Sequence, residues 1–171
     1  MNKIQKQVDD WIKSPGHKVH YFPKNQILAQ ILEECGEVAR EIAHLHGHKK
    51  KKVGEVTDGL EIEIGDVFFA LCCLSNAEVI ELIDFKDIVN SGKLSDFPDP
   101  FDAINEITQE LGNLAKVLVP GKSDLGEEES IILRTMSYLC TLAFYHNIDP
   151  EKAFEKSMAK KTGRDKDRFK N

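Results

Sequence analysis

The chain has 171 residues, 41% hydrophobic and 30% charged, with 29 acids against 23 bases and a formal net charge of −6. That length suits one domain, residues 1–171, able to bury roughly 70% of its unfolded surface, and the acidic balance argues against nucleic acid as a partner, because a basic face is the usual footprint of such binding. The longest apolar run, Val67–Leu74, falls far short of the about 20 residues that cross a membrane, and Met1–Gln5 offers no apolar leader, so no membrane contact and a cytoplasmic location are expected.

Residues 2–13 read as a short helix stopped by Ser14-Pro15-Gly16, followed by an irregular stretch, 17–24, that carries Tyr21 and Phe22. Ile27, Leu28, Ile31, Leu32, Cys35, Val38, Ala39, Ile42 and Leu45 then recur at three- and four-residue steps. That spacing predicts a helix over about 25–46. A basic loop, 48–54, leads to a second helix over about 59–76, with a continuation or further helix reaching Asn90. Ser91-Gly92 and the proline-rich stretch 96–100 make a break, and helices over about 102–118, 127–146 and 150–161 follow. The fold class is therefore all-α. The four cysteines, Cys35, Cys72, Cys73 and Cys140, lack zinc-ligand spacing and read as small buried hydrophobes in a reducing compartment.

Two acidic pairs interrupt the apolar periodicity: Glu34-x-x-Glu37 and Glu63-x-x-Asp66. Residues three apart project from the same side of a helix, so each pair offers two carboxylates to one point. If the two helices pack side by side, four carboxylates converge and repel one another. A hard divalent cation that prefers oxygen relieves this best, meaning Mg²⁺, with Mn²⁺ as the alternative. The chain also repeats itself. Glu110-Leu-Gly-Asn113-Leu-Ala-Lys116 echoes Glu34-Cys-Gly-Glu37-Val-Ala-Arg40, and Leu142–Asn147 echoes Leu71–Asn76. In the second copy Asn113, Arg134 and Ser137 stand at the positions of Glu37, Glu63 and Asp66, and only Glu110 is kept. The expected architecture is an antiparallel four-helix-bundle core from two tandem hairpins: a metal-bearing one over about 25–90 and a degenerate one over about 102–147, with a basic helix and tail over 150–171.

Three pieces together resemble the MazG-like, all-α nucleoside triphosphate pyrophosphohydrolases: Ile31-Leu-Glu-Glu-Cys-Gly-Glu-Val-Ala-Arg40, Glu63-Ile-Gly-Asp66-Val-Phe-Phe, and the tail from Ala153 through Lys160, Lys161, Arg164 and Arg168 to Phe169. The departure is the middle, where the degenerate hairpin intervenes before Ile148-Asp149-Pro150-Glu151. The resemblance implies Mg²⁺-dependent hydrolysis of a (d)NTP between its α- and β-phosphates, giving a monophosphate and pyrophosphate in the service of nucleotide-pool house-cleaning. It implies a homodimer, although the internal repeat offers both halves of the bundle in one chain.

On that basis Glu34, Glu37, Glu63 and Asp66 are the expected metal ligands, and Glu33 and Glu34 the expected catalytic acids, Glu33 orienting or deprotonating the attacking water from a position 100° further round the helix. Lys160, Lys161, Arg164 and Arg168 are expected on the phosphates. Trp11 and Tyr21, with Phe22, are expected to stack the base, and Asn76 to bond the sugar or base, with core packing and helix capping as their plain alternatives. The loop Lys49–Lys52 could cover the site, with a solvated loop as its plainer reading. Glu41-x-x-His44 resembles half of a di-iron motif, but lacks a partner and reads as a solvated helix end. The non-enzymatic alternative is a nucleotide-binding or helical interaction module. No Walker A loop is present to support a P-loop enzyme.

Overall fold

The computed structural model describes residues 1–15, 21–47, 49–90, 97–119 and 124–164, with Arg164 for its backbone alone. Among these the chain is all-helical: α1 (Lys3–Ile12), α2 (Lys24–Leu45), α3 (Leu60–Ala77), α4 (Phe85–Asn90), α5 (Pro100–Val117), α6 (Leu125–Tyr145) and α7 (Pro150–Arg164). Of the continuation or further helix expected up to Asn90, the structure has the further helix: α3 ends at Ala77 and the short α4 runs to Asn90.

The helix ends follow from local chemistry. Asn2 and Gln5 close a reciprocal capping box on α1, Asp99 caps α5 with Pro100 behind it, Asp124 caps α6, and Asp149 accepts from the amides of Glu151 and Lys152 at the start of α7. Such oxygens satisfy the amides that have no partner in the first helical turn. The two long hairpin helices end alike. Val79 and Asn147 take the left-handed conformation at φ 59° and 58°, and the next amides, of Ile80 and Ile148, reach back to the carbonyls of Ser75 and Ala143. This is the Schellman closure.

α2 packs against α3 and α5 against α6, while α2 also meets α5 and α3 meets α6, closing a four-helix core. The α2–α3 pair runs antiparallel: Arg40 near the end of α2 meets Glu63 at the start of α3, and Lys24 at its beginning meets Glu78 beyond the end of α3. α3 is the central helix, touched by α1, α2, α6 and α7. Its buried side chains run almost without interruption from Glu63 to Ser75, as expected of a helix that is apolar all round. α7 comes so close that a methyl at Gly65 would lie 2.2 Å from the Ala153 carbonyl oxygen. All four cysteines are free and buried, and burial pushes the Cys35, Cys73 and Cys140 thiols up to about 12, which keeps them protonated and inert.

No described helix is long and apolar enough to cross a membrane. In the second hairpin, Arg134 and Glu110 form a forked ion pair, with Nε to Oε1 at 2.7 Å and Nη2 to Oε2 at 2.9 Å. They stand at the positions of Glu63 and Glu34, so the geometry that gathers acids in one hairpin forms a salt bridge in the other.

Candidate metal centre

Glu34 and Glu37 lie one turn apart on α2, and Glu63 faces them from the first turn of α3. One oxygen from each lies within 4.8 Å of the others. Glu63 is 1% exposed, and its Oε2 is buried without a hydrogen-bond partner. Burial first, then the charge of Glu37, pushes the Glu63 carboxyl up to about 8. Burial and the nearby Asp66 raise Glu34 to about 7. Crowded acids that keep their protons near neutral pH, with one oxygen left unsatisfied, are what an oxygen-preferring cation relieves. The donor set therefore fits a hard divalent ion.

Asp66 lies one turn beyond Glu63 and is 2% exposed, but its oxygens are engaged. Lys161 Nζ sits 2.7 Å from Oδ1 and Lys160 Nζ 2.9 Å from Oδ2, and the Ser157 hydroxyl donates to Oδ1. Burial alone would push the Asp66 carboxyl up; Lys161, Ser157 and Lys160 together hold it below its ordinary value. The expected foursome thus appears as three gathered glutamates beside an aspartate held by two lysines. Lys160 also reaches Asp58 at 2.7 Å, and the two acids outweigh burial to raise its pKa.

The remaining expected residues divide. Glu33 is exposed on α2. Lys161 lies 4.6 Å from the centroid of the Phe69 ring, and Trp11 stands edge-on to the same ring at 5.6 Å, which links the N-terminal aromatics to the lysine pair. Tyr21 and Asn76 are tied into the scaffold: the Tyr21 hydroxyl donates to Asp9 at 2.7 Å and accepts from Asn76 Nδ2 at 3.0 Å, while Asn76 also bonds the Gln5 carbonyl and side chain. The cavity beside Tyr21, Phe22 and Phe69 is about 30 Å³, room for one water. Arg164 closes α7, and Arg168 lies outside the described residues.

One expectation is overturned. Glu41 and His44 do not form a solvated helix end: their side chains are only 4% and 3% exposed. The loop after α2 covers them, with Lys51 Nζ 2.9 Å from Glu41 Oε2 and bonded to Thr57. Sequence reasoning also missed Arg40, which contacts Glu37 at 3.1 Å and Glu63 at 3.4 Å, as well as Asp58, Ser157 and Phe69. Arg40 was readable as an i,i+3 partner of Glu37, and Ser157 as sharing a face of α7 with Lys160 and Lys161. Asp58 sits in a loop and left no periodic signal.

Fold and site together define an all-α protein with three gathered glutamates, able to hold a metal ion, beside a pair of lysines. The MazG nucleotide pyrophosphohydrolase domain matches residues 22–95, and the chain is 43% identical over 89 residues to the uncharacterized protein YpjD of Bacillus subtilis (strain 168), covering 52% of this chain and 78% of that protein. The chain belongs to the MazG family. No solved structure matches it.

Proposed function

We propose that the protein is a Mg²⁺-dependent nucleotide pyrophosphohydrolase, converting a (d)NTP and water to a (d)NMP and pyrophosphate, and that it clears nucleotides from the cellular pool. The observation that carries this reading is the convergence of Glu34, Glu37 and Glu63 within 4.8 Å, next to Asp66 and its two lysines. Glu34, Glu37, Glu63 and Asp66 would hold Mg²⁺, or Mn²⁺ in its place, which when bound supplies neutralisation of phosphate charge and activation of water.

The chain's own groups account for the rest. Lys160 and Lys161 share α7 with Arg164, and their two ammonium groups beside Asp66 would bind the phosphates of a nucleotide. Arg164 and Arg168 would extend that cationic edge. Glu33, exposed one residue before Glu34, would orient or deprotonate the attacking water. Trp11 and Phe69 form the apolar wall nearest Lys161, and stacking there would set the base beside the phosphates. Tyr21 and Asn76 would hold that wall in position, or touch the sugar after rearranging.

The test is product analysis with a panel of NTPs and dNTPs, with and without Mg²⁺, separating pyrophosphate from orthophosphate. Metal-dependent pyrophosphate plus monophosphate is expected, with Glu37→Gln and Asp66→Asn each lowering turnover by about 100-fold or more. Release of orthophosphate, or unchanged turnover in both variants, would overturn the reading. Binding of nucleotide with no turnover across the panel would favour a binding module.

A further inference from the structure

The geometry points to Arg40 as a built-in counter-cation of the acidic centre: it holds Glu37 and Glu63 while the centre is metal-free, and passes to Glu41 when a divalent cation takes them. This inference rests on the metal-centre reading above. Arg40 Nη1 lies 3.1 Å from Glu37 Oε1, and Nη2 lies 3.4 Å from Glu63 Oε1. Its third nitrogen, Nε, points elsewhere. Nε lies 3.8 Å from Glu41 Oε1, and both atoms are buried without a hydrogen-bond partner. An N⁺–H···O⁻ bond closes at about 2.7–2.9 Å, so the donor and the acceptor lie roughly one ångström short of bonding.

A buried, unpaired donor and acceptor are each costly, and two that lie this close are poised to bond in another state. The guanidinium is committed instead to Glu37 and Glu63. A divalent cation on those two carboxylates removes that pull and adds like charge beside Arg40. Glu41 is ready to receive it, because Lys51 and the covering loop fix Oε2 and leave Oε1 turned toward Arg40. His44 Nδ1 lies 3.8 Å from the same Oε1, and a carboxylate oxygen has lone pairs for both donors.

Arg40 is thus a positioning residue that sets the affinity of the centre, and the test reads affinity rather than turnover. The full chain is titrated with Mn²⁺, free Mn²⁺ being followed by electron paramagnetic resonance, for the wild type, Arg40→Gln, Glu41→Gln and the double variant. Arg40→Gln is expected to bind about tenfold tighter, since the competitor is gone. Glu41→Gln is expected to bind several-fold weaker with Arg40 present and no weaker in the Arg40→Gln background, a coupling that a simple loss of negative charge at Glu41 would not give. Equal or weaker binding by Arg40→Gln, or the same loss from Glu41→Gln in both backgrounds, overturns the hand-off. Absence of Mn²⁺ binding by the wild type instead overturns the metal-centre reading. A second measurement needs no variant: saturating Mg²⁺ is expected to shift the Arg40 Nε–H resonance of the wild type and slow its exchange with solvent, and an unchanged resonance sinks the proposal.

Discussion

Glu34 and Glu63 keep their protons to about 7 and about 8, above the ordinary 4.5, chiefly because burial penalises their charged forms. The sign of the consequence is fixed by linkage. Between pH 4.5 and about 8 the folded chain binds more protons at these two groups than the unfolded chain, so their contribution makes metal-free stability fall as pH rises through that window. Asp66 has the opposite shift, and its stabilisation is lost only at pH values below its ordinary 3.8, outside the window. In chelator, the midpoint of thermal unfolding is expected to drop between pH 5.5 and 8.5, and the rise on adding Mg²⁺ to grow over the same range. Glu63→Gln should flatten both trends. A Mg²⁺ effect that shrinks with rising pH would mean that these acids do not meet the ion. The sequence alone supports much of this reasoning, since the spacing of Glu34, Glu37, Glu63 and Asp66 placed them on facing helices. It could not show that Asp66 spends its charge on Lys160 and Lys161, because that depends on how α7 docks.

At the scale of the elements, the contact between α3 and α7 decides whether those lysines reach the acids. Gly65 makes it possible. A Cβ there would meet the Ala153 carbonyl oxygen at 2.2 Å and carbon at 2.7 Å, and a backbone cannot yield as a flexible side chain does. Gly65→Ala is therefore expected to cost about 1–3 kcal/mol by overpacking, and to weaken turnover beyond its effect on stability by pushing Lys160 and Lys161 away from Asp66. Gly112 in α5 has nothing within 4 Å of the same added atom, so Gly112→Ala should stabilise by about 0.5–1 kcal/mol through helix propensity alone. Val79 offers a parallel case. It is a β-branched residue at φ 59° and 90% exposed, so Val79→Gly should raise stability by about 1 kcal/mol at the end of α3. Chemical denaturation of the three variants checks the signs. Helix positions were legible from the three- and four-residue recurrence, and α2, α3, α5 and α6 lie within two residues of the spans expected from it at every end. The burial of Glu41 and His44 was not. Their fate is set by the loop that carries Lys51, and a loop has no period to read.

Across the whole molecule, the second hairpin supplies two of the four core helices from the same chain. α5 and α6 lie against α2 and α3, so much of the apolar stripes that a partner chain would cover is covered from within, although Leu32 and Leu45 of α2 stay exposed. Val53, Val56 and Val79 are exposed in connections between helices, and Phe144 and Tyr145 at the end of α6. The chain is expected to sediment as one 19.3 kDa species across micromolar concentrations, and a stable dimer would show that a further face is used. The Arg134–Glu110 fork tests what the degenerate hairpin contributes. Glu110 is 5% exposed, so Arg134→Ala strands a buried carboxylate; because the Arg134 side chain is 44% exposed, water softens the loss to about 2 kcal/mol rather than the 3–5 of a fully buried pair. Replacing both partners with apolar residues, Glu110→Leu with Arg134→Met, should regain that stability, since neither charge is then left alone. If the second hairpin serves only to complete the bundle, the double variant should keep wild-type turnover and sediment unchanged; a loss of turnover at full stability would place part of the active centre on α5 and α6.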